Sequence, residues 1–163
     1  MPAQTTLLAL LAVLTPQDGD AVFCDTLKRV IAATPGNFET LGLRGRVDDP
    51  GLDTDVQLRY GSLECDVMTD FPGLDGKHVY NCISREPTEV QSGDGRVLAD
   101  QMGKCLGMRI DERISQADMP YYVANSEAAS VVISFDIVLP RGVSERGPGE
   151  VLYLSLRVYP PDS

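Results

Sequence analysis

Hydrophobic and polar positions alternate most clearly in the last third of the chain. Val131, Ile133, Phe135, Ile137 and Leu139 alternate with Val132, Ser134, Asp136 and Val138. Leu152, Leu154, Leu156 and Val158 do the same with Tyr153, Ser155, Arg157 and Tyr159. A period of two is that of a strand with one buried face, so these segments predict a long hairpin whose apolar set faces the core. A second hairpin is expected earlier. Leu63, Cys65 and Val67 share one face of a strand over 61–69, and Tyr80 and Cys82 share one face of a strand over 78–84. The intervening Phe71-Pro72-Gly73-Leu74-Asp75-Gly76 is rich in turn formers. Two stretches have helical spacing instead. Phe23, Leu27, Val30 and Ile31 line one face of a helix over about 21–33, stopped by Thr34-Pro35-Gly36-Asn37. Leu98, Met102, Cys105 and Leu106 line one face of a helix over about 95–106. Between the first helix and the first hairpin, strands over 38–47 and 55–60 are expected, separated by a polar loop over 48–55.

Helices segregated from antiparallel hairpins indicate an α+β fold. The expected form is a two-layer sandwich, with an antiparallel sheet of about four to five strands and two helices on one face. The chain has 163 residues, which suits one domain.

The N-terminus bears on location. Leu7 to Leu14 is an apolar run of eight residues, far short of the roughly 20 needed to span a membrane. It fits the apolar region of a secretory signal peptide, although no Lys or Arg precedes it. Gly19-Asp20-Ala21 offers small residues for cleavage after Ala21, so residues 1–21 are expected to be a signal peptide and 22–163 a single disulfide-stabilised domain. No later segment is long and apolar enough to be an integral membrane segment.

Four cysteines in an exported chain predict two bridges. If Cys65 lies opposite Cys82, then Val67 faces Tyr80 and Leu63 faces Ser84. Directly opposed residues have Cα atoms about 4.5–5.5 Å apart, within disulfide reach. That leaves Cys24–Cys105, which two helices packed on one sheet would bring together. A zinc site is disfavoured, because there is no C-x-x-C pair and His78 is the only histidine.

Charge narrows the partners. The net charge of −10 repels phosphate backbones, so nucleic acid is a poor partner. Ser–His–acid catalysis would have to use His78, which sits beside a turn, where a solvated structural histidine is the plainer reading. The fingerprints of α/β-hydrolases, zinc proteases and nucleotide-binding loops are absent, and no cofactor is implied. Asp48, Asp49, Asp53 and Asp55 crowd one loop, but without the glycine and terminal glutamate of a calcium loop they read as a solvated acidic stretch. Tyr121 and Tyr122 place apolar area with polar handles outside the clearest elements. Arg141 and Arg146 lie in the long loop between the last two strands, where binding residues often sit.

A Cys opening a helix, Phe38-x-x-Leu41 shortly before Gly45, Gly61-x-Leu63-x-Cys65, a hairpin Cys82 and a helical Cys105 followed by Leu106 together form a pattern. It resembles small uncharacterised exported proteins of Gram-negative bacteria. The resemblance spans roughly 24–106 and brings no activity with it.

The expected function is therefore a protein-binding module of the cell envelope, periplasmic or extracellular, of the inhibitor, immunity or accessory type. Its partner would be an envelope or secreted protein, and its contacts Tyr121, Tyr122, Arg141 and Arg146. The alternatives are a hydrolase that uses carboxylates alone and a carrier of a small apolar ligand.

Overall fold

The computed structural model describes residues 16–46, 49–69, 71–137 and 151–161. Its elements are α1 (Pro16–Ala33), β1 (Arg44–Arg46), β2 (Asp49–Asp53), β3 (Leu63–Met68), β4 (Val79–Ser84), α2 (Asp94–Leu106), β5 (Asp111–Ile114), β6 (Pro120–Asn125), β7 (Ser130–Ile137) and β8 (Leu152–Tyr159). The fold is α+β, as expected. The sheet corrects the expectation, for among the described residues it has eight strands rather than four or five, in the order β1-β2-β3-β4-β8-β7-β6-β5. All neighbours are antiparallel. Two four-stranded meanders thus meet along β4 and β8.

The unexpected strands have the weakest local signals. β5 is Asp-Glu-Arg-Ile, exposed throughout, and becomes a strand only by pairing with β6. Charged residues on a short edge strand discourage uncontrolled pairing. β2 contains Pro50 and Gly51, both depleted in strands. β6 contains the Tyr121-Tyr122 pair outside any clear alternation. The stretch expected as a strand over 38–47 splits into a 3₁₀ turn (Glu39–Leu41) and β1.

The register of the first hairpin matches the expectation. Cys65 faces Cys82, Val67 faces Tyr80 and Leu63 faces Ser84. The two cysteines are paired, with Cα atoms 4.0 Å apart. Cys24 and Cys105 are paired across the helices, with Cα atoms 5.0 Å apart.

Both helices cover the same face of the sheet. Phe23, Leu27 and Val30 of α1 and Leu98 and Met102 of α2 are buried with Tyr80, Ile133 and Leu156 of the strands. Spacings of three and four residues put each helical set on one stripe. Close approach of α2 depends on Gly95: a methyl group there would lie 2.9 Å from the Phe135 ring and 3.3 Å from the Tyr122 ring.

α1 starts at Pro16, earlier than the helix expected over 21–33, and ends as expected at Ala33. The chain then turns through Asn37 and Phe38, both at positive φ. Phe38 at +63° is unfavourable by about 1–2 kcal/mol for an L-residue. Its fully buried ring, 6.1 Å from that of Tyr80, recovers about as much or more through burial. Asn37 anchors the corner: its Nδ2 donates to the Gly76 carbonyl at 3.2 Å, and its Oδ1 accepts from the His78 amide at 3.3 Å. His78 Nδ1 lies 3.2 Å from the Asn37 carbonyl, so the only histidine helps to tie this corner.

Burial also raises the phenol of Tyr80 above its ordinary value near 10, and likewise those of Tyr60, Tyr122 and Tyr159. The folded state therefore holds these protons more tightly than the unfolded chain does. Their contribution to stability is complete below pH 10 or so and is lost as pH rises above it. Alkaline titration followed by phenolate absorbance is expected to show incomplete ionisation of the six tyrosines until circular dichroism reports unfolding. Reversible ionisation of all six in a folded protein would contradict this burial.

Candidate functional site

A broad concavity comes from a gap in strand pairing. β2 pairs with β3 through Gly51, Leu52 and Asp53. Beyond Asp53 the chain dips towards the helices instead of continuing along β3. Thr54 Oγ1 donates to the Leu41 carbonyl at 2.8 Å, and the Asp55 amide reaches the same oxygen at 3.3 Å. Tyr80 Oη donates to the Val56 carbonyl at 2.7 Å. Val56 and Leu58 are buried, and the Tyr60 ring sits 6.1 Å from that of Phe23. The alternation of Val56, Leu58 and Tyr60 is therefore real as burial, but these residues form no strand. Gly42 permits the dip: it lies at φ +67°, and a Cβ there would come within 2.6 Å of Asp55 Oδ2. Asp55 in turn pairs with Arg44.

What remains is an open notch of about 1130 Å³ beside β3, lined by residues of 53–66 and 81–86. The Gln57 side chain reaches across it. Its Oε1 accepts from the Cys65 amide at 2.8 Å, and its Nε2 donates to the Cys65 carbonyl at 2.8 Å and to the Thr54 carbonyl at 3.1 Å. Cys65 thus turns both backbone groups away from β4. This makes Cys65 and Cys82 a non-hydrogen-bonded pair, the kind whose Cα atoms lie closest.

The notch has an acidic balance. Asp53, Glu64, Asp66 and Glu86 line it with Arg59 and Arg85. Glu64 and Arg85 form an exposed ion pair. The hydrogen bond from Arg85 holds the Glu64 carboxyl below its usual range. Asp66 is tied into the sheet. Asn81 Nδ2 donates to Asp66 Oδ1 at 3.1 Å, Arg157 Nε donates to Asn81 Oδ1 at 3.0 Å, and Arg157 pairs with Asp136. This ladder crosses β3, β4, β8 and β7 on the face turned away from the helices.

A smaller groove of about 330 Å³ adjoins the notch and shares Tyr60, Ser62, Ser84 and Glu86 with it. There Asp94 accepts from Thr88 at 3.0 Å and from Ser92 at 2.8 Å. A third groove, of about 790 Å³, lies between α2 and β5, where Arg96 pairs with Asp100 and Glu112. All three are open and bear charged side chains, unlike the enclosed apolar chamber that suits a carrier.

Of the residues singled out from sequence, the two tyrosines do not share a face. Tyr121 and Tyr122 lie on β6, and consecutive strand residues project to opposite faces. Tyr122 is buried on the helix side and Tyr121 is half-buried on the other. Arg141 and Arg146 lie outside the described residues. Of the four aspartates, Asp48 is also outside them, Asp53 lines the notch and Asp55 pairs with Arg44. Among the described residues no group of three or more His, Cys, Asp or Glu is arranged to hold a metal ion. Nor is any described helix long and apolar enough to cross a membrane. Gln57 carried no sequence signal, because its role depends on where β2 stops pairing.

No protein-family model matches the chain, and no curated protein or solved structure is significantly similar to it.

Proposed function

We propose that this chain is an exported protein-binding module of the cell envelope, of the inhibitor, immunity or accessory type, and that it presents the notch beside β3 to its partner. The notch itself carries the reading. It is open and charged, and its floor is held by the Cys65–Cys82 pairing and the Asp66–Asn81–Arg157–Asp136 ladder. A surface held rigid before contact loses little conformational entropy on binding. Two cysteine pairings also fit the oxidising periplasm or extracellular space. Cleavage after Ala21 would shorten α1 and remove the bond from Gln101 to Asp20, while keeping Phe23 and Cys24 in place.

The oxidised chain beginning at Val22, used as bait in envelope and culture-supernatant extracts, is expected to retain one stoichiometric partner. Glu64→Lys with Asp66→Lys reverses the charge of the notch and is expected to lower retention about tenfold, whereas Tyr121→Ala leaves it unchanged. Absence of any stoichiometric partner would count against the binding-module reading. Equal retention by the charge-reversed variant would move the interface elsewhere.

A further inference from the structure

The notch has the form of a strand position occupied by one side chain. A carboxamide carries the same donor and acceptor as a peptide unit. Gln57 uses both on Cys65, the next outward-facing position of β3 after Val67, which is paired with Leu52. We infer that the outer edge of β3 at Cys65 docks an extended segment of a partner protein with basic side chains at alternate positions, and that Gln57 is the displaceable group that satisfies Cys65 in the free protein, while the Leu63 amide keeps its bond to the Tyr60 carbonyl. The inference rests on the binding-module reading and specifies its partner.

The energetics of exchange favour displacement. An incoming strand would replace two hydrogen bonds from Gln57 with two from its own backbone, which is close to neutral. The carboxamide returns to water, since the Gln57 residue is exposed. Attraction then comes from charge. Glu64 and Asp66 are two residues apart on one face of β3, and Asp53 sits opposite Asp66. Asp53 already fills the position opposite Asp66, so a strand docked beyond it places a cation opposite Glu64, diagonal to Asp66 and one alternate-residue step of about 6.6–6.8 Å from Asp53 along the line of β2. The Arg85–Glu64 pair is no obstacle, because both side chains are more than half exposed and exposed pairs contribute little. Strand addition of this kind draws affinity from the main chain and selectivity from alternate side chains.

The test uses the full oxidised chain and three synthetic peptides: one alternating lysine and threonine, one of the same composition with the lysines in a block, and one alternating glutamate and threonine. Binding is measured by calorimetry, and the Cys65 amide and Gln57 carboxamide are followed by nuclear magnetic resonance. The alternating lysine peptide is expected to bind about tenfold more tightly than the other two and to shift both resonances. Gln57→Ala, which removes the internal competitor, is expected to tighten it, and Glu64→Gln with Asp66→Asn to weaken it about tenfold. Equal affinity for alternating and blocked lysines would show attraction by charge alone and overturn the docking edge. So would failure of all three peptides to bind, or binding that leaves Cys65 unmoved. If the peptides fail while a natural partner is still captured, the module reading survives without the docking edge. Peptide binding at Cys65 with no natural partner captured supports the edge and removes the reading.

Discussion

Replacing Cys24 and Cys105 together by alanine is expected to lower the unfolding free energy by about 4.5 kcal/mol, the loop-entropy value for this closure. The pairing spans 81 residues of sequence and joins α1 to α2. The Cys65–Cys82 pairing spans 17 residues, and the same reasoning gives about 3 kcal/mol. Cross-linking a longer loop removes more freedom from the unfolded chain, so the helix–helix bridge has the larger effect. Against a total stability of about 5–15 kcal/mol for a typical domain, that loss is a large fraction. Urea unfolding of the oxidised wild type and of the double variant measures it, with circular dichroism confirming that the variant still folds. A loss well under 1 kcal/mol would mean that α1 and α2 are held by packing alone. Alkylation of all four cysteines without reductant would dismiss both bridges.

Tyr80→Ala is expected to cost about 3–5 kcal/mol, the range for deleting a buried aromatic side chain. The ring is fully buried beneath β4 and packs on Phe38. Its hydroxyl is the link between sheet and notch, since it holds the Val56 carbonyl at 2.7 Å. Tyr80→Phe keeps the ring and removes the donor. It is expected to cost about 1–3 kcal/mol, because a buried carbonyl loses its partner. Its effect on dynamics should be local. Loosening 54–60 frees Gln57, so hydrogen exchange at the Cys65 amide is expected to accelerate. Exchange at the Val67 amide, within the β2–β3 pairing, should hardly change. Uniform acceleration at both amides would show that Tyr80 supports the sheet as a whole and has no special hold on the notch.

The amino-acid sequence alone determined the elements whose side-chain period is decisive. The registers of Cys65 against Cys82, the long β7–β8 pairing and the apolar stripes of both helices follow from local alternation, because each is the only arrangement that buries its apolar set. Both cysteine pairings were legible for the same reason: once two faces are buried, few partners remain within reach. The edge strands were not legible. Arg44-Gly45-Arg46 and Asp111-Glu112-Arg113-Ile114 have no strand preference of their own, and only a neighbour's backbone makes them strands. Tyr122 differs from Tyr121 only in which face of β6 it occupies, and that was decided by how β6 pairs with β7. The notch is tertiary in the same sense. It exists because Thr54, Val56 and Leu58 are drawn towards the helix layer, which leaves a backbone position on β3 for the Gln57 carboxamide to fill. Burial periodicity is local and can be read along the chain; the place where one strand stops pairing with the next depends on the whole sheet.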